Sequence, residues 1–235
     1  MKKEVYRSNT RGGGDYGWLS TRHSFSFGDY FAPARTGFGA LRVFNDDTVA
    51  AGKGFPEHPH SDMEIISIVT EGVLAHKDST GSESALKAGE VQAMTAGSGV
   101  MHSEYNHSRT KPVKFFQIWI QPKKPGLPPN YSQKNFPESA QHNAFVALAS
   151  GNNGSQELFI NQDAIASIGS FEAGKKTNIS LEKGRGLFVF VVEGKVKCGG
   201  DVLLKRDSVS ISEASKITLE FLEKSRVIVI EVPMD

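Results

Sequence analysis

Two short pairs of residues have the types and spacing to do chemistry. His58 and His60 occur in Phe55-Pro56-Glu57-His58-Pro59-His60, and His102 and Glu104 occur in Gly99-Val100-Met101-His102-Ser103-Glu104. Residues two apart on a β-strand share a face, so each pair can aim two side chains at one point. Two such pairs on neighbouring strands would offer three imidazole nitrogens and one carboxylate oxygen. That donor set suits a single divalent transition ion, with iron, nickel, copper, manganese, cobalt and zinc all compatible. No thiolate joins the set, which argues against a structural zinc site. Four protein ligands leave a six-coordinate ion two open positions for substrate or water. A lone His-x-His would be weak evidence; the second pair, set behind the glycine-rich Gly97-Ser98-Gly99 turn, strengthens it. Glu64 is in phase with His60 by simple alternation, so spacing leaves both Glu64 and Glu104 open as the carboxylate donor. His23, His76, His107 and His142 lack such pairing and read as structural or solvated.

The elements that must position these groups read as strands. Apolar, β-branched and aromatic stretches fall at 41–44, 63–71, 73–77, 90–95 and 113–121, then at 144–149, 158–162, 167–171, 187–192, 195–198, 207–211, 216–220 and 226–232. Glu71-Gly72, Glu193-Gly194 and Gly199-Gly200-Asp201 supply tight turns. Long segments of helical period are absent, and a short helical turn is expected near 163–166. Many short strands with regular turns make the chain all-β, a barrel or sandwich. Five prolines between 121 and 137 mark an ordered crossover between two halves. Each half contains an apolar strand running into Glu-Gly and a further strand, an echo that points to a duplicated barrel. Division is expected near 136, giving an N-terminal unit of 1–136 and a C-terminal unit of 137–235. All seven histidines lie at or before His142, so the second unit is expected to have no metal site.

Composition narrows the function classes. The chain has 235 residues, 27 Lys and Arg against 26 Asp and Glu, and a formal net charge of +1. The basic residues are scattered, which excludes the strong patch of a sequence-independent nucleic-acid binder and a polybasic lipid anchor. The apolar run 187–192 is far short of the roughly 20 residues that span a bilayer. The start, Met1-Lys2-Lys3-Glu4-Val5-Tyr6, lacks an apolar signal region. Cys198 is the single cysteine, so no internal disulfide can form, and it reads as a bystander. A cytoplasmic protein is expected.

The two histidine segments resemble the two cupin motifs in the form carried by pirins. The resemblance extends over most of the chain, through Ser24-Phe25-Ser26-Phe27-Gly28-Asp29-Tyr30, Gly37-Phe38-Gly39-Ala40-Leu41-Arg42-Val43, Ala88-Gly89-Glu90-Val91-Gln92 and Gln117-Ile118-Trp119-Ile120. Thr95 stands where the generic second motif has proline. The resemblance implies two tandem cupin barrels of jelly-roll type, a metal in the first only, and ligands at His58, His60, His102 and Glu104, with iron the first expectation. Many cupins put their carboxylate ligand at the position of Glu64, whereas pirin-like proteins use the position of Glu104. It also implies a monomer and an activity, since some pirins are quercetin 2,3-dioxygenases. The substrates would be dioxygen and a flavonol or other small aromatic enol, with Glu104 the base that takes the hydroxyl proton. A flat substrate needs an apolar slot, for which Met63, Met94, Phe116 and Trp119 are candidates, with Trp18, Phe31 and Phe44 beside them. The competing implication is a non-enzymatic, metal-binding regulator that binds a transcription factor or metabolic enzyme.

Overall fold

The computed structural model describes residues 1–152 and 156–234. The first half of the chain forms β1 (Lys2–Tyr6), β2 (Gly12–Asp15), β3 (Leu19–His23), β4 (Leu41–Val49), β5 (Gly54–His60), β6 (Glu64–Glu71), β7 (Val73–Asp78), β8 (Glu83–Lys87), β9 (Glu90–Thr95), β10 (Val100–Asn106), β11 (Val113–Ile120) and β12 (Asn130–Asn135). The second forms β13 (Phe145–Ser150), β14 (Leu158–Phe159), β15 (Ile165–Phe171), β16 (Lys176–Ser180), β17 (Arg185–Glu193), β18 (Lys195–Cys198), β19 (Asp201–Leu204), β20 (Ser208–Ser212), β21 (Lys216–Phe221) and β22 (Ser225–Pro233). Two 3₁₀ turns, Ser8–Thr10 and Glu138–Gln141, are the helical elements among the described residues. No helix there is long and apolar enough to cross a membrane.

Each half is a seven-stranded sheet packed on a four-stranded one. The N-terminal sheets run β12-β9-β6-β11-β4-β3-β2 and β5-β10-β7-β8; the C-terminal sheets run β1-β20-β17-β22-β15-β13-β14 and β16-β21-β18-β19. The chain is therefore all-β and built from two jelly-roll-type units, although their sheets stay open instead of closing into single barrels. The first strand of the chain pairs with the other half's sheet: β1 covers the edge of β20, while β12 covers the edge of β9 within its own half. Residues 2–6 thus cross the division expected at 136, and they cover an edge of β20 that would otherwise be open.

Alternation along the strands builds three layers of core. On β17, Leu187, Val189 and Val191 face the four-stranded sheet, while Phe188, Phe190 and Val192 face the other half. That strand is apolar throughout because both of its faces are covered. On β11, Val113 and Phe115 point into the N-terminal unit, and Phe116, Ile118 and Ile120 point into the seam between the units. The seam joins Phe44 and Phe116 to Phe188 and Phe190, with ring centroids 4.5–5.6 Å apart. Each fully buried Phe or Ile there contributes about 1.5–3 kcal/mol.

Three local expectations change. Residues 161–163 form a bend and 165–166 already belong to β15, so no helical turn forms at 163–166. The proline-rich crossover contains a true strand, β12. The stretch expected to be extended at 158–162 forms only the two residues of β14. Cys198 is fully buried, and burial pushes its thiol up to about 12, as suits a core residue.

Candidate metal centre

The strands that carry the histidines have no apolar run, and their sequence explains their placement. β5 contains Pro56 and Pro59, which cannot donate to a ladder, and it lies at the edge of its sheet. Gly54 lets it approach β10, since a Cβ there would lie 2.3 Å from the carbonyl oxygen of Glu104. Gly97, at φ 49°, makes the turn before β10; a Cβ there would meet the Leu127 carbonyl at 1.9 Å. In register, His102 lies opposite His58 and Val100 opposite His60, with a bulge between His102 and Glu104. A bulge re-aims the side chains beside it.

These strands bring His58, His60 and His102 into a triangle. Their ring centroids are 4.7, 4.5 and 4.7 Å apart. The Nε2 atoms of His58 and His102 are 3.1 Å apart. Two nitrogens about 2.0–2.1 Å from a shared ion, at octahedral to tetrahedral angles, would be about 2.9–3.4 Å apart. His58 Nδ1–H donates to the Pro56 carbonyl at 2.7 Å, which fixes the tautomer and leaves Nε2 bare toward the other rings. Burial, reinforced by the neighbouring imidazoles, lowers His60 to about 4 and His102 to about 3. Both rings are therefore neutral at pH 7, the state in which imidazole ligates a metal. Donor chemistry and geometry both fit a divalent ion.

Glu104 is placed differently. Its carboxylate groups with His102 and His76, so His102 is shared between two clusters of possible donors. The carboxylate is 2% exposed and gripped from two sides: Gln92 Nε2 donates to Oε1 at 2.8 Å, and Gln117 Nε2 to Oε2 at 2.7 Å. Gln92 also donates to Ser67, and Trp119 Nε1 donates to Gln117 Oε1. Glu64 lies elsewhere. It faces the seam, accepting from Thr95 at 2.8 Å and Asn161 at 3.3 Å, and belongs to neither cluster. Its apparent phase with His60 fails because Asp62, at φ 48°, breaks the strand between them.

Sequence reasoning passed over His76, the two glutamines and a polar row that contains them. His76 is buried, its Nε2–H donates to Asp78 Oδ2 at 2.9 Å, and it stacks on Tyr131 at 4.5 Å. Across the seven-stranded sheet, His23, Asn45, Gln117, Ser67 and Gln92 lie opposite one another in sequence. A polar residue inside an otherwise apolar strand, such as Gln117 between Phe116 and Ile118, was the available signal. In the row one step away, the Thr21 hydroxyl donates to Asp47 and accepts from His23 Nε2, at 2.8 Å in the latter case. Burial, with Arg11 and Arg22 close by, lowers His23 to about 4, and burial raises the Asp47 carboxyl to about 7.

A cavity of about 370 Å³ joins these groups, reaching from His58, His60 and Glu104 to Thr21, His23, Asn45 and Asp47. Tyr16, Phe27, Phe55 and Trp119 form its aromatic walls. Trp119 stands edge-on to both His60 and Phe27, at 4.8 and 5.3 Å. The other residues expected to line a slot lie outside this cavity. Phe116 and Phe44 have the opposite parity and fill the seam, where Arg206 covers Phe116 at 5.0 Å. Met63 and Met94 pack behind Trp119 with Ile65 and Val100. Trp18 packs edge-on against Phe55, and Phe31 is 73% exposed.

Comparisons with known proteins agree with this picture. A family model described as Pirin matches residues 4–120, and one described as Quercetinase C-terminal cupin domain matches residues 147–232. The chain is 37% identical over 227 residues to a quercetin 2,3-dioxygenase of Escherichia coli, covering 97% of each protein. It is 41% identical over 221 residues to a pirin-like protein of Caulobacter vibrioides, covering 94% of this chain and 95% of the relative. The crystal structure of a bacterial pirin from Escherichia coli in complex with nickel(II) matches with a TM-score of 0.95 at 34% identity, covering 100% of both chains. With two cupin domains, a histidine and glutamate cluster suited to a divalent metal, and relatives matched along almost their full length, the chain belongs to the pirin family.

Proposed function

We propose that this protein is a metal-dependent dioxygenase that opens the heterocycle of flavonols such as quercetin, with His58, His60, His102 and Glu104 holding one divalent transition metal, iron first among the candidates. The observation that supports the reading is a cavity with His58, His60 and the buried Glu104 toward one end and the rings of Phe27, Phe55 and Trp119 along its walls, His102 packing on both histidines. Relatives that bear the name quercetin 2,3-dioxygenase support it.

When bound, the cation would polarise an enol chelated through its hydroxyl and adjacent carbonyl oxygens and lower the pKa of that hydroxyl. The chain supplies the rest. Trp119, Phe27 and Phe55 form a slot for a flat ring system and keep water from it. Glu104 takes the hydroxyl proton. The amides of Gln92 and Gln117 occupy one lone pair on each carboxylate oxygen and leave the others to receive it. They also fix the direction of the carboxylate, so the acceptor stays aimed while the metal end of the substrate is held. Loss of the proton makes the flavonol ring electron-rich toward dioxygen, whose two atoms end in the ring-opened ester as one ring carbon leaves as carbon monoxide.

The test is oxygen uptake by protein loaded in turn with iron(II), nickel(II) and copper(II), in the presence of quercetin. The expected outcome is oxygen consumption in step with bleaching of the near-ultraviolet flavonol band and release of carbon monoxide. Absence of turnover with every metal would overturn the reading.

A further inference from the structure

We propose that Thr21, His23, Asn45 and Asp47 form a second polar pole in the cavity, one that binds a hydroxyl group of the organic ligand remote from the metal-chelating end. The inference rests on the proposed reading of the cavity as a flavonol site and extends it from the chelating end to the other.

The polar row explains itself only in part. Gln92 and Gln117 hold Glu104, and Ser67 holds Gln92. Asn45 and His23 continue the same row across two further strands but do not hold that carboxylate. Two strand spacings place His23 about 10 Å beyond Gln117. Along the wall, His23 is separated from His60 by the rings of Phe27 and Trp119. A two- or three-ring aromatic molecule has the length to touch both ends.

The far end also holds buried acceptors without partners. Asn45 and His23 are 2% and 6% exposed, and Asn45 Oδ1 and His23 Nδ1 have no hydrogen-bond partner. With Thr21 donating to Asp47, its oxygen receives the Nε2 proton of His23, and His23 Nδ1 is left as a bare acceptor. Two buried acceptors beside a cavity are costly unless a donor arrives. A phenolic hydroxyl is such a donor, and a site built to receive one discriminates against an analogue that lacks it.

The test compares quercetin with 3-hydroxyflavone, which keeps the chelating hydroxyl and carbonyl and lacks the remaining hydroxyls. Binding to nickel-loaded protein is followed by calorimetry without oxygen, so that affinity is read apart from turnover. The wild-type protein is expected to bind quercetin about tenfold tighter. Asn45→Leu should remove most of that advantage while leaving 3-hydroxyflavone within about twofold. Thr21→Val, which keeps shape and removes the hydroxyl linking His23 to Asp47, should act in the same direction and serves if Asn45→Leu does not fold. Equal wild-type affinity for the two ligands would overturn the inference, as would an unchanged quercetin advantage or equal losses for both ligands in the variants. Failure of the wild-type protein to bind either ligand would instead overturn the flavonol reading itself, and the second pole with it.

Discussion

The two halves of the molecule share one strand order, and their interiors are filled in opposite ways. β12-β9-β6-β11-β4-β3-β2 corresponds step for step to β1-β20-β17-β22-β15-β13-β14, and β5-β10-β7-β8 to β16-β21-β18-β19. In the N-terminal half the row across the large sheet is Gln92, Ser67, Gln117, Asn45 and His23. In the C-terminal half a row through the corresponding strands runs Val209, Val189, Val229, Ser167 and Ala147. On the small sheet, His102 and Glu104 of β10 and His76 of β7 have as counterparts Ile217, Leu219 and Phe221 of β21 and Val196 and Cys198 of β18. The C-terminal half is thereby a packed core and the N-terminal half a lined cavity. The architecture tolerates either filling because the stability of each large sheet also draws on the seam, which the interior residues do not touch. The proposed chemistry falls to the half whose inward positions carry polar groups, with the other half as its support.

That contrast can be broken at several points, the largest effect coming first. Glu104→Gln keeps a similar shape but removes the charged proton acceptor; flavonol turnover should fall by about 10²–10⁴ while most of the bound metal is kept. Steady-state oxygen uptake and metal analysis of the same preparation check this, and full activity would move the role of base elsewhere. Gln117→Leu makes one position of the polar row resemble the apolar row of the other half. It frees one side of Glu104, and metal affinity should fall about 10–100-fold, measured by competition with a chelator. An unchanged affinity would show that the glutamines do not orient the site. Glu64→Gln should have the smallest effect on metal content, within about twofold, because that carboxyl faces the seam and bonds Thr95 and Asn161. A thermal unfolding scan should register a modest loss there, typically about 1 kcal/mol, and loss of the metal would return Glu64 to the ligand set.

How much of this was legible in the sequence follows from what makes a residue conspicuous. Strands buried on both faces, such as 187–192, announce themselves by continuous apolar runs, and the all-β, duplicated architecture was readable from them. β5 and β10 carry polar side chains toward the site and were visible only through the two-residue spacing of His58 with His60 and of His102 with Glu104, while β3, with His23 alone, gave no such signal. That spacing singled out His58, His60 and His102, whose side chains the fold groups together. Parity failed to carry over wherever the backbone changed direction: Asp62 resets the phase between His60 and Glu64, and no composition rule says which face of β11 meets the cavity. Phe116 and Trp119 are both large and aromatic, yet they lie on opposite faces of one strand, one in the seam and one at the site. The placement of β1 on the edge of β20 depends on long-range pairing that no local pattern encodes.

The central claim is that the three-histidine triangle of the N-terminal half holds the protein's metal. Its most direct test is metal content by mass spectrometry of purified wild-type protein and of the His58→Ala, His102→Ala double variant, each equilibrated with a divalent ion and desalted. The account predicts about one ion per chain in the wild type, as one such donor set implies, and none in the variant, with both proteins folded by circular dichroism. An ion retained in the folded variant would contradict it.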